Sequence, residues 1–85
     1  MTEPRRSKLE QDLDILQICR SPSSLYVILR RANIPYMLVK EKVDSLEKRG
    51  LVVSTVEGRH RKVVTTSKGL AILEVARQLS EMLAV

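Results

Sequence analysis

The chain has 85 residues, 15 Lys and Arg against 10 Asp and Glu for a net charge of +5, and only two aromatic residues, Tyr26 and Tyr36. This length makes one small domain with a modest core, and an apolar content of 44% excludes a disordered chain. The lack of aromatic rings argues against a surface that stacks single-stranded bases, while the positive balance suits a polyanion, with DNA, RNA and an anionic membrane all open on charge alone.

Residues 1–6 are polar, contain Pro4 and read as a flexible arm. Arg5, Arg6 and Lys8 make it basic; a nucleic-acid contact and a tail that binds nothing are both open. No signal-type apolar run follows, since Asp12 and Asp14 interrupt it, and no stretch approaches the ~20 apolar residues of a membrane span. A cytoplasmic, nucleoid-associated protein without a membrane partner is expected. Ser7 and Glu10 have the spacing of a capping box, so a first helix runs from there to about Arg20. Leu9, Leu13 and Leu16 line one side, and Ile15, Ile18 and Cys19 widen the apolar arc, predicting cover on two sides. Cys19 is the single cysteine. It excludes an internal disulfide, leaves no Cys/His metal spacing, and reads as a small core or interface residue. No cofactor or metal is expected.

Ser21-Pro22 is a helix-start signal, and Leu25, Ile28, Leu29 and Ala32 recur at helical spacing, predicting a second helix over 22–32. Arg30 and Arg31 end it, where cations suit the helix C-terminus; phosphate contact is the other reading. After an Asn33-Ile34 turn plugged by Ile34, Pro35 opens a third helix (35–49) that Gly50 stops. Val39, Val43 and Leu46 face inward. Met37, Glu41, Asp44 and Lys48 face outward, flanked by Tyr36 and Lys40 on one side and by Leu38 and Ser45 on the other. Leu51–Val56 and Val63–Thr66 read as paired strands around a polar tip, Glu57–Lys62, turned at Gly58. Thr66 caps a fourth helix that runs to the C-terminus. The expected class is mainly α with a β-hairpin, in the order α-α-α-β-β-α.

Leu46-Glu47-Lys48-Arg49-Gly50-Leu51-Val52 and Thr66-Ser67-Lys68-Gly69 carry a resemblance. Over roughly residues 8–80 the chain resembles the winged helix-turn-helix superfamily, closely its small archaeal-type regulators and more loosely the MarR- and PadR-type repressors. That resemblance implies a double-stranded DNA partner, with the third helix in the major groove and the hairpin, or wing, on the adjacent minor groove or its phosphates. The DNA-binding residues it implies are Tyr36, Met37, Lys40 and Glu41 on the helix, Arg59, His60, Arg61 and Lys62 on the wing, and Arg30 and Arg31. Lys40 could donate to guanine, Glu41 accept from a cytosine amine, and Met37 touch a thymine methyl. Glu41 and Asp44 repel phosphate, so an architectural protein of low sequence specificity stays open, as does a winged-helix protein-interaction module.

On the fourth helix Ile72, Val75, Ala76, Leu79, Met82 and Leu83 form one apolar stripe, while Leu70 and Leu73 point onto the body of the domain. At 1.5 Å per residue the helix is about 27 Å long, and an exposed stripe of that length favours association. The expected organisation is therefore an arm (1–6), a winged helix-turn-helix domain (7–66) and a C-terminal dimerisation helix (67–85), with Ile15 and Ile18 joining the homodimer interface. Folding of the last helix back over the first within one chain is the other reading. No nucleophile–base pair, metal set or phosphate-cradling glycine loop occurs, so an enzyme is not expected.

Overall fold

In the computed structural model, which describes residues 7–84, the helix caps fix the element boundaries. Arg5, Arg6 and the rest of the arm 1–6, with Val85, lie outside the described residues. The elements run α1 (Lys8–Ile18), β1 (Ser23–Ser24), α2 (Leu25–Ala32), α3 (Tyr36–Lys48), β2 (Val52–Glu57), β3 (His60–Thr65) and α4 (Ser67–Leu83). The strands form one antiparallel sheet in the order β1-β3-β2.

The capping box at α1 is present in both directions: the Glu10 amide donates to Ser7 Oγ and the Ser7 amide to the Glu10 carboxylate, each at 3.1 Å. The expected start of α2 at Ser21-Pro22 is corrected. Ser23 and Ser24 are drawn out as β1 against the open edge of β3, opposite Val63 and Lys62, and the helix begins three residues later. Ser24 is its cap, accepting from the Val27 amide at 3.2 Å. An unpaired strand edge offers these two residues main-chain partners that a helical turn would forgo. Asn33 closes α2 in the left-handed region at φ 56°, which asparagine tolerates better than most residues.

Ile15, Leu16, Cys19, Ile28, Ala32, Ile34, Val39, Val43, Leu46, Leu51, Val52 and Val63 make the buried core. The inward stripe of α3 and the Ile34 plug therefore lie as expected. Ile15 is fully enclosed, which removes it from the expected dimer surface, and Ile18 is half-buried against the core. Leu38, expected on the outward flank of α3, is also half-buried against the core. The two-sided cover expected for α1 fails at its first turn, where Leu9 is 66% exposed.

The C-terminus of α3 is closed twice. Leu51 N–H bonds the Leu46 carbonyl at 2.9 Å and Gly50 N–H bonds that of Glu47 at 3.0 Å, with Gly50 at φ +76°: a Schellman arrangement that glycine accommodates. The carbonyls beyond it are held by the start of α4. Thr66 Oγ1 donates to the Gly50 carbonyl at 2.7 Å while accepting from the Gly69 amide, Thr66 N–H donates to the Leu51 carbonyl, and Lys68 Nζ donates to that of Arg49 at 2.9 Å. The approach is so close that a Cβ on Gly69 would overlap the Leu51 carbonyl oxygen and stand 2.5 Å from Thr65 Cγ2. Thr65, buried, ties the same junction to α1 through its hydroxyl to the Leu16 carbonyl at 2.7 Å and its amide to that of Cys19 at 2.8 Å.

Gly69→Ala should cost about 1–3 kcal/mol, the usual cost of overpacking, in urea unfolding. An unchanged midpoint would mean that the junction is not tight. Burial pushes the Cys19 thiol up from 9.0 to about 11. A folded-state pKa raised in this way adds stability that is complete below pH 9 and is lost as pH rises toward 11. The stability difference between wild type and Cys19→Ala should therefore shrink from pH 8 to pH 10.5. A difference independent of pH would contradict the shift.

Candidate nucleic-acid interface

With Val39, Val43 and Leu46 pinned in the core, the helical step turns the opposite face of α3 outward. Tyr36 is 49% exposed, Met37 69%, and Lys40, Glu41, Asp44 and Lys48 are exposed beside them. The four sequence candidates Tyr36, Met37, Lys40 and Glu41 are thus brought together on the first turn and a half of one helix. Pro35 is the N-cap and makes no side-chain cap bond. Lys42 is a different case. Its ammonium pairs with Asp12 of α1 at 3.2 Å in a half-buried site, so it braces α3 against α1.

The wing differs from its expected form. The polar tip expected over 57–62 is only the two-residue turn Gly58-Arg59, because Glu57 already pairs with His60 and the ladder continues through Val56–Arg61 and Thr55–Lys62. Gly58 sits at φ +61° with Arg59 on the ordinary side, the pattern of a type II′ hairpin turn. The strand pleat then separates the cations. Arg61 shares a face with Val63 and Thr65, both buried, whereas His60 and Lys62 occupy the other face.

Arg61 therefore leaves the group of wing-tip cations in which the sequence placed it. Its Nη2 bonds Asp44 Oδ1 and Glu47 Oε1 of α3, each at 3.0 Å, and its Nε bonds Ser54 Oγ of β2 at 3.1 Å. Ser54 in turn donates to Glu47 Oε1 at 3.0 Å. Sequence reasoning missed this constellation, although counting alternate residues back from Thr65 places Arg61 on the inward face. None of the ion pairs among the described residues involves Lys40, Lys48, Arg59 or Lys62.

Arg30 and Arg31 end α2 on an exposed shelf. Arg30 stacks its guanidinium over the Tyr26 ring, 5.5 Å from the centroid, and Arg31 lies exposed next to it. Among the described residues no group of three or more His, Cys, Asp or Glu could hold a metal ion, and no helix is long and apolar enough to cross a membrane.

The fourth helix contacts α1 but leaves its stripe open. Leu73 packs against the core, Leu70 is 41% exposed rather than seated on the domain, and Ile72, Val75, Leu79, Met82 and Leu83 range from 37 to 82% exposed. A nearly wholly apolar groove of about 420 Å³ runs between the helices, floored by Ile72, Val75, Ala76 and Leu79 with Leu9 and Leu13 of α1 along its side. The opposite face of α4 is polar, with Arg77 bonded to Glu74 and Glu81; that bond holds the Glu74 carboxyl below the usual carboxylate range.

The sequence pattern described as winged helix-turn-helix matches residues 5–84. No curated protein matches the chain. Among solved structures it is similar to Sso10a-2, a DNA-binding protein from Sulfolobus solfataricus, at 22% identity over 91% of this chain and 81% of that one, with a TM-score of 0.83. It is similar to AF1382 from Archaeoglobus fulgidus at 22% identity, 86% and 87% coverage and a TM-score of 0.76. The transcriptional regulator BldR from Sulfolobus solfataricus is 31% identical over 87% of this chain and 60% of BldR, with a TM-score of 0.73.

Proposed function

The chain belongs to the winged helix-turn-helix family, and we propose that it is a dimeric transcriptional regulator that binds double-stranded DNA with sequence specificity. In this reading α3 enters the major groove and the wing lies on the adjacent minor groove or its phosphates. The observation that carries it is the outward cluster Tyr36, Met37, Lys40 and Glu41 on the N-terminal half of a helix whose other face is locked in the core. The N-terminal end of a recognition helix is the part that meets base edges. Lys40 suits a guanine, Glu41 a cytosine amine and Met37 a thymine methyl. Asp44 and Glu47, which would repel phosphate, share the Arg61 guanidinium, which offsets one of their two negative charges.

Arg59 at the turn, with Lys62 and His60 on the outer face of the wing, supplies cations for phosphate or for a narrow minor groove. Arg30 and Arg31, exposed at the end of α2, supply two further cations. The described DNA-binding and regulatory roles of Sso10a-2 and BldR support the same assignment. A regulator of this kind works at the nucleoid, in the cytoplasm.

The α4 stripe is the proposed homodimer surface, with Leu9 and Leu13 of α1 along the same groove and the enclosed Ile15 taking no part. Two copies related by a twofold axis present two α3 helices, which calls for an inverted repeat with half-sites about one helical turn apart. An architectural protein of low specificity is the second reading. It is favoured by the lack of arginine in the first two turns of α3 and by Glu41 among the base-facing candidates.

Binding to duplex DNA should weaken with salt at a slope of about −0.9 per neutralised phosphate, and Arg59→Ala/Lys62→Ala should lower that slope by about two. Absence of binding at low salt would refute the reading. Selection from random duplexes should return an inverted repeat, whereas enrichment of no sequence would favour the architectural reading. Sedimentation at micromolar concentration should give twice the 9.7 kDa chain mass, and Leu79→Glu should reduce it to one. A wild-type monomer would overturn the dimer.

A further inference from the structure

Arg61 stands where three elements meet. It arises from β3, and its guanidinium is shared by Ser54 of β2 and by Asp44 and Glu47 on successive turns of α3. Among the described residues, every side-chain hydrogen bond between α3 and the hairpin runs through Arg61 or Ser54. Apolar packing does not secure the outer half of the hairpin. Val52 and Val63, at its base, are buried, but Val56, directly opposite Arg61, is 70% exposed. The covalent link from α3 to β2 lies at Arg49–Leu51, the far end from the turn. β1 pairs with β3 only as far as Lys62, so beyond it the wing is a two-stranded ribbon whose side-chain tie to α3 is Arg61, and such ribbons hold little shape alone.

We propose that Arg61 is a positioning residue for DNA binding: it holds the wing at a fixed angle to α3 and stays on Asp44 and Glu47 while a duplex is bound. This inference rests on the duplex-binding reading above and assigns the phosphate-facing role to Arg59 and Lys62 instead. The electrostatics favour it. Moving the guanidinium to a phosphate would leave two carboxylates three residues apart on α3, uncompensated and facing the same polyanion. Retaining it keeps Nε on Ser54 and Nη2 on both carboxylates, a pair of separate donors that lysine cannot reproduce. A wing held at one angle to α3 also ties the register of the wing to that of α3, so a misplaced wing cannot slide to an alternative phosphate.

The test is a set of duplex-binding isotherms against salt, on variants shown to be folded by circular dichroism and thermal melting. Arg61→Gln should weaken binding about tenfold at every salt concentration without changing the slope, a coupling of ordinary size for residues in one network. Arg61→Lys, which keeps the charge but not the separate donors, should not restore it. The loss caused by Arg59→Ala should be smaller in the Arg61→Gln background, because a wing already displaced has less to lose. In the Asp44→Asn/Glu47→Gln background, Arg61→Gln should cost nothing further. A slope that flattens by about one with Arg61→Gln, restored by Arg61→Lys, identifies a phosphate contact and overturns the proposal, as does full additivity with Arg59→Ala.

If wild-type protein binds no duplex, the functional reading fails and the positioning role is judged alone. Spin labels at Met37→Cys and Arg59→Cys, in Cys19→Ala protein diluted with unlabelled chain, should give a narrow distance distribution that broadens with Arg61→Gln. An unchanged distribution would overturn it.

Discussion

The main-chain carbonyls at the end of α3 have to be satisfied, and everything that faces outward depends on how this is done. A helix leaves its last carbonyls without internal partners, and here the following segment returns to supply them. The Schellman turn at Gly50 takes the carbonyls of Leu46 and Glu47. The opening turn of α4 takes those of Arg49, Gly50 and Leu51, with Thr66 serving as helix cap and carbonyl donor through one hydroxyl. Gly69 has no side chain because α4 comes to rest on that backbone. The motif that resembles the start of the last helix in winged-helix proteins is thus a device for setting the angle between α3 and α4. In a duplex-binding dimer that angle sets how far apart two α3 helices stand.

Charge is partitioned along the same lines. A net charge of +5 says little about where a polyanion would bind, because three of the 15 basic residues are held in ion pairs with acids among the described residues. Lys42 braces α3 against α1, Arg61 braces the wing against α3, and Arg77 spans two acids along α4. Exposed pairs of this kind add little to stability singly. Their effect is to fix geometry, leaving Lys40, Lys48, Arg59 and Lys62 outside the ion pairs among the described residues, with Lys40 and Lys48 on the outward face of α3. Asp44 and Glu47, unfavourable for DNA when the sequence is read in one dimension, take part in holding the hairpin through Arg61, while Glu41 stays exposed on the outward face.

Local signals on the chain were sufficient for most of the fold. Ser7 with Glu10, Thr66, Gly50 and the Val39-Val43-Leu46 stripe each act within four or five residues, and the structure uses each as expected. Failures came where a distant partner decided the outcome. Ser21-Pro22 is a sound helix start, but the free edge of β3 takes the following two serines into a strand, and Ser24 becomes the cap. Four consecutive basic residues masked the period-two pleat, so Arg61 was grouped with Arg59 although it shares a face with Val63 and Thr65. Ile15 reads as superfluous on α1 because the depth of the core on that side depends on β3 and α2, which periodicity does not place. Leu9 and Leu13 border the groove only because α4 crosses beside them.

The measurement that bears most directly on the account is a titration of isotopically labelled protein with a short duplex, followed by backbone amide chemical shifts. The largest changes are expected on residues 36–41 and 58–62, with the α4 stripe from Ile72 to Leu83, the proposed dimer surface, unmoved. Changes concentrated on that stripe, with α3 and the wing unaffected, would contradict the account.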